Sequence, residues 1–142
     1  LAVFALGNIL GMALGGRLGD RFRNRRLTFA LAMLASGAVA LLLFTWHPTL
    51  WVTVALASVY AFTNALARPP LMASLADVPA EVRGTVMGFN GACASLGWLG
   101  AAAFGGWMLA TVGFVGFAPL TAILAVLGAV LALAGTRASV RV

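Results

Sequence analysis

The feature that most constrains this chain is a succession of apolar runs, each near the length that crosses a lipid bilayer and separated from the next by a short polar segment. A hydrocarbon core about 30 Å thick needs about 20 mostly apolar residues per helix. Five runs approach or exceed that length: Leu1 to Gly16, Leu27 to Trp46, Leu50 to Ala76, Thr85 to Ala110 and Phe117 to Gly135. They are apolar all round and longer than the ten or so alternating residues of a barrel strand, so helix is the predicted state. The expected fold is all-α, a polytopic transmembrane helix bundle.

Charge supports the same solvent. Only 8% of the residues are charged, against about a quarter in soluble domains. The net charge of +6 invites a nucleic-acid reading. Five arginines, however, crowd between Arg17 and Arg26 and the others sit beside apolar runs, where positive charge marks topology. The expected partner is the lipid bilayer, with no nucleic acid. Cys93 is the only cysteine and lies inside an apolar run, so the chain builds neither a disulfide framework nor a thiolate metal cluster, and no cofactor or metal is expected. The opening run is followed by arginines rather than a small-residue cleavage site, which argues against a signal peptide.

The connectors alternate in character. Arg17 to Arg26 is basic, His47 to Thr49 carries no fixed charge, Asp77 to Gly84 is charged, Thr111 to Gly116 is neutral, and the tail carries Arg137 and Arg141. The positive-inside rule makes the charged connectors and the C-terminus cytoplasmic. Leu1 then falls outside, the run count is odd, and the first run spans only about 24 Å at 1.5 Å per residue. One further upstream helix would complete a six-helix unit, so residues 1–142 are expected to form one partial domain of a longer protein. Arginine to the exclusion of lysine suggests a GC-rich bacterial genome and hence an inner membrane.

The segment Gly15-Gly16-Arg17-Leu18-Gly19-Asp20-Arg21-Phe22-Arg23-Asn24-Arg25-Arg26 resembles the signature loop of the major facilitator superfamily. Gly16, Asp20, Arg21, Arg25 and Arg26 match that signature, while Arg23 stands at its usual glycine and Asn24 at a usual basic position. Asp77-Val78-Pro79-Ala80-Glu81-Val82-Arg83-Gly84 resembles the acidic, proline-containing Arg-Gly turn between the fourth and fifth helices of each half in that family. Two spans and a neutral loop separate the motifs, as they do in the family. The region around Tyr60 lacks the arginine usual in the N-terminal half, which favours helices eight to twelve.

The resemblance implies a secondary active transporter of small molecules working by alternating access, with efflux one direction open to it. It also implies a separate N-terminal half of the same transporter. Gly16, Asp20, Arg21, Arg25, Arg26, Asp77, Glu81 and Arg83 are then candidates for a conformational latch, Asp20 facing a helix N-terminus of the opposite half. Within the spans, Arg68 is the one deep charge; Pro69 and Pro70 after it predict a kink whose freed carbonyls could receive the guanidinium, snorkelling to the interface being the equal alternative. Asn64 lies one turn before Arg68, and with Asn8 and Asn90 they form the candidate substrate pathway, interhelical hydrogen bonding being the alternative for each asparagine. Gly7, Gly11, Gly15 and Gly19 recur every four residues, and the fourth run is also glycine-rich through Gly97, so helix packing is expected at both. The family resemblance puts these two helices at the contact between halves.

Two other readings compete with transport. An intramembrane enzyme needs a nucleophile and base or a metal cluster, and His47 and Cys93 lie far apart on the topology. A non-transporting scaffold or receptor with the same fold is the alternative function.

Overall fold

The computed structural model describes residues 2–22, 24–46 and 48–138, with side chains as far as 134. Leu1, Arg23, His47 and Arg141, to which the sequence attached expectations, lie outside the described residues, as does the side chain of Arg137. Among the described residues six helices follow one another: α1 (Ala2–Arg21), α2 (Arg25–Thr45), α3 (Leu50–Leu66), α4 (Arg68–Ala76), α5 (Ala80–Thr111) and α6 (Phe117–Ala138), with a 3-10 turn at Phe114–Gly116 before α6. Among the described residues there is no strand. Because α3 and α4 run on from one another, five segments are long and apolar enough to cross a membrane.

The helix ends differ from the sequence expectation in an instructive way. α1 does not stop at Gly16 but continues through Asp20 to Arg21, so the first span is 20 residues, about 30 Å at 1.5 Å per residue. Arginine and leucine are good helix formers, and charge at the end of a span does not by itself end the helix. The connector shrinks accordingly. Asn24, at a position where the family signature usually has a basic residue, caps α2: its side-chain oxygen accepts from Leu27 N at 3.3 Å. The acidic turn is also shorter than expected, since Glu81, Arg83 and Gly84 fall in the first turns of α5, after Pro79. Glu81 there is well placed against the positive end of the helix dipole.

The predicted interruption at Pro69 and Pro70 is present. Ala67 N bonds back three residues to Asn64 O at 3.3 Å, closing α3, and the two prolines occupy the first turn of α4, where missing N–H groups cost nothing. At the opposite end, Gly113 takes φ +79° to turn the chain from α5 into the 3-10 segment. Phe44 of α2 packs against Phe114 and Phe117 with ring centroids 4.9 and 5.6 Å away, tying the turn to the bundle.

Packing inverts the pattern of a water-soluble bundle. The buried positions are small: Ala30, Ala32 and Ala40 of α2, Ala61 and Ala65 of α3, and Ala118, Ala125 and Ala129 of α6. The large side chains point out, with Leu50, Trp51, Trp98 and Leu131 all more than two thirds exposed. Small residues let helix backbones approach where no hydrophobic force drives association, and lipid takes the outward leucines and tryptophans. Hydroxyls close back on their own helices, as in Thr45 to Leu41 O (2.6 Å), Ser58 to Val54 O (2.8 Å) and Ser74 to Pro70 O (2.8 Å), so they present no unmet donor to lipid.

α2 is the centre, lying against α3, α4 and α6, while α1 lies along α3 and α4. The glycine stripe of α1 makes this second contact. A Cβ on Gly7 would stand 2.6 Å from Ser58 O, one on Gly15 2.5 Å from Leu66 O, and one on Gly11 would collide with Phe62 O. The stripe therefore seats on a helix of the same chain, where the sequence reading had pointed it toward an opposing half. α5 is the exception to close packing: its main contacts are with α4 and the 3-10 turn, and it has no buried residue along its 32 positions.

Candidate functional site

Two places gather the residues singled out from the sequence. The first is the end of the bundle where α1 and α4 finish and α2 and α5 begin. Arg25, in the first turn of α2, pairs with Asp77 at the C-cap of α4 through Nη1 and Oδ2 at 2.6 Å, which binds the two hairpins at this basic end. Arg83 donates to Val78 O at 3.3 Å within the acidic turn. Asp20, Arg21 and Glu81 are exposed here, and none of them bonds another described side chain. Gly16 has open space where a Cβ would lie. Arg26 borders an outward cavity of about 400 Å³ with Phe29, Leu71 and Gly128.

The Arg25 and Asp77 side chains are 36% and 67% accessible, so their attraction is solvent-screened and worth about 0–1 kcal/mol. A double-mutant cycle with Arg25→Gln and Asp77→Asn is expected to give a coupling below about 1 kcal/mol that fades in high salt. A coupling of several kcal/mol would mean that the pair is a permanent brace.

The second place is a cleft of about 440 Å³ midway along the bundle, bounded by α1, α3, α4 and α5. Asn8, Asn64 and Arg68 all line it, with Phe4, Tyr60, Gly97 and Trp98. The lining follows helical spacing: Phe4 and Asn8 are one turn apart on α1, and Tyr60, Asn64 and Arg68 succeed one another by four. Asn90, the fourth predicted pathway residue, is half-buried on α5 and does not line the cleft. Gly97, expected in a helix contact, has nothing within 4 Å of a Cβ position and forms part of the cleft wall instead.

What distinguishes the cleft is unspent polarity. Neither Asn8, Asn64 nor Arg68 makes a side-chain hydrogen bond or ion pair with any described residue. The carbonyls freed by the proline break, one of the two places the sequence offered the Arg68 guanidinium, do not receive it, because that side chain is exposed along the cleft. A charge held near a bilayer centre costs roughly 2.5–3.5 kcal/mol on insertion scales, so an unpaired one has to be met by water or by a ligand. Tyr60 and Asn64 also border a smaller cavity of about 200 Å³ between α2, α3 and α6, with Ser36 and Thr121 on its wall. A further cavity of about 390 Å³, between Leu18, Phe22, Leu27 and Leu31, is almost wholly apolar and holds no charged group.

The aromatic members, Phe4, Tyr60 and Trp98, were not singled out from the sequence as site residues. The signal that marks Tyr60 is the four-residue spacing that leads through Asn64 to Arg68. Nothing comparable marks Trp98, since no asparagine or charged residue stands three or four positions from it on α5.

Five segments long and apolar enough to cross a membrane, with a largely apolar cleft that carries a few polar side chains between α1, α3, α4 and α5, fit a multi-pass membrane transport protein. The family model of the Major Facilitator Superfamily matches residues 1–141, and the chain belongs to that superfamily. Comparisons with curated proteins and with solved structures gave no match. Members of the family are transporters rather than enzymes, and lipid surrounds them.

Proposed function

We propose that the protein is a secondary active transporter that moves a small polar molecule by alternating access, the midplane cleft forming part of the solute's path. The observation that carries this reading is the set of unpartnered polar side chains, Asn8, Asn64 and Arg68, collected in one cleft. A pure scaffold would gain nothing from keeping a bare guanidinium at that depth, and the family match supports transport over a receptor. Asn90 stands one turn nearer the basic end than Ala94 of the cleft wall, a position suited to the path between cleft and surface.

In this reading the chain supplies helices eight to twelve and pairs with an N-terminal half of the same transporter. Support comes from α5, a whole membrane span with no buried residue, whose bare glycine positions, Gly97 among them, suit close approach of another helix. The basic end faces the cytoplasm of a bacterial inner membrane. There Gly16, Asp20, Arg21, Arg25, Arg26, Asp77, Glu81 and Arg83 form a latch that closes one face and opens on each cycle. Weak exposed pairs suit that task better than strong buried ones.

Counterflow of labelled solutes into liposomes holding the full-length protein tests the transport reading, and failure with every solute class would reject it in favour of a scaffold. Asp20→Asn tests the latch. Transport is expected to fall several-fold with normal membrane insertion, and unchanged transport would remove Asp20 from the mechanism.

A further inference from the structure

The cleft is layered along the helices that wall it. Counting 1.5 Å per residue from the basic end, Phe4, Tyr60 and Trp98 lie about 26 Å in, Asn8 and Asn64 about 20 Å in, and Arg68 about 13 Å in. Aromatic faces, carboxamides and a guanidinium thus succeed one another at steps of about 6 Å along a single cavity. The sequence has three acidic residues, Asp20, Asp77 and Glu81, all at the basic end, and Asp77 is already held by Arg25. No carboxylate of this chain therefore stands at the level of Arg68 to neutralise it.

From this geometry we infer that the solute is an amphipathic organic anion, an aromatic body with a carboxylate or similar group at one end. The inference rests on the reading of the cleft as the solute's path. Arg68 receives the anionic group through paired charge-assisted N–H donors. Asn8 and Asn64 offer donors and acceptors to whatever polar atoms lie between. The ring lies among Phe4, Tyr60 and Trp98, where offset or edge-on aromatic contacts are available. A cavity of about 440 Å³ is in the range that holds an organic molecule of modest size. A cationic group is disfavoured at the Arg68 layer, where the cleft wall offers it no acid from this chain and places a positive charge beside it.

The test is equilibrium binding to the full-length protein in nanodiscs, with phenylbutyrate as the labelled probe and phenylbutanol, phenylbutylamine and hexanoate as competitors. Phenylbutyrate is expected to bind at least tenfold tighter than its alcohol, its amine or the ringless acid. Arg68→Gln should remove the preference for acid over alcohol, Arg68→Lys should retain part of it, and Trp98→Ala should weaken phenylbutyrate and phenylbutanol alike. Equal or tighter binding of the amine overturns the inference, as does a preference for the acid that survives Arg68→Gln. Absence of phenylbutyrate binding in a preparation that shows counterflow of another solute also overturns it, while leaving the transport reading intact. Specific binding without counterflow of any solute would instead overturn the transport reading.

Discussion

Gly11→Leu is expected to be the most damaging single change in the bundle. Its Cβ alone would run into the carbonyl oxygen of Phe62 and stand 2.9 Å from the Ala65 Cβ, so backbone has to move before the rest of the side chain is placed. Overpacking a tight site costs about 1–3 kcal/mol when neighbouring side chains can yield, and here the obstacle is backbone. The expected result is a loss of about 3 kcal/mol, read as a fall of roughly 6–12 °C in Tm in detergent. Gly16 provides the control, because open space surrounds its Cβ position. Gly16→Ala should be neutral or stabilising by up to about 1 kcal/mol through helix propensity. Equal tolerance at the two positions would show that α1 and α3 do not meet as described.

The second large effect is expected at Asn64, and it separates two roles for a polar residue in a span. Were Asn64 an interhelical tie, Asn64→Leu would lose about 0.6 kcal/mol of stability and keep transport. The side chain has no partner among the described residues and borders two cavities at once. The expected result is therefore transport at or below about a tenth of normal, equivalent to about 1.4 kcal/mol or more, with Tm unchanged or raised. A lowered Tm with full transport would return Asn64 to a structural role.

Much of the fold was legible because lipid imposes a simple rule: a segment either has enough apolar length to cross or it does not. The five spans, the kink at Pro69 and Pro70, and the gathering of both charged connectors at one end all follow from length, proline and arginine placement. Helix ends were less legible, since Asp20 and Arg21 look like loop residues but continue α1, the interface tolerating charge on a helix that has already crossed. The partner of a glycine stripe was not legible either. Four-residue spacing says that a helix can come close, and cannot say that it is α3 which comes. The same limit explains why Gly97 reads like Gly7, Gly11 and Gly15 of α1 in sequence yet differs in space, being bare in a cleft wall while those three lie under a carbonyl.

For the candidate site, Asn8, Asn64 and Arg68 were readable as polar exceptions in apolar runs, and the structure brings all three to one cleft. Phe4, Tyr60 and Trp98 were hidden by the abundance of large apolar residues facing outward. An aromatic residue in a membrane span is unremarked until its neighbours are known. The pairing of Arg25 with Asp77 was hidden for a different reason: several arginines were equally close in sequence, and only the cap geometry of α2 and α4 selects one.

The interruption at Ala67 has a mechanical consequence. α1 runs past it without a break, resting on α3 through Gly7, Gly11 and Gly15, while beyond the interruption a Cβ on Gly19 would come 3.7 Å from Pro70 of α4. The continuous helix therefore acts as a splint across a joint. Any flexing that tilts Arg68 must slide α4 along α1 or drag α1 with it, and in the second case the movement reaches the far tip of the rod, where Asp20 sits.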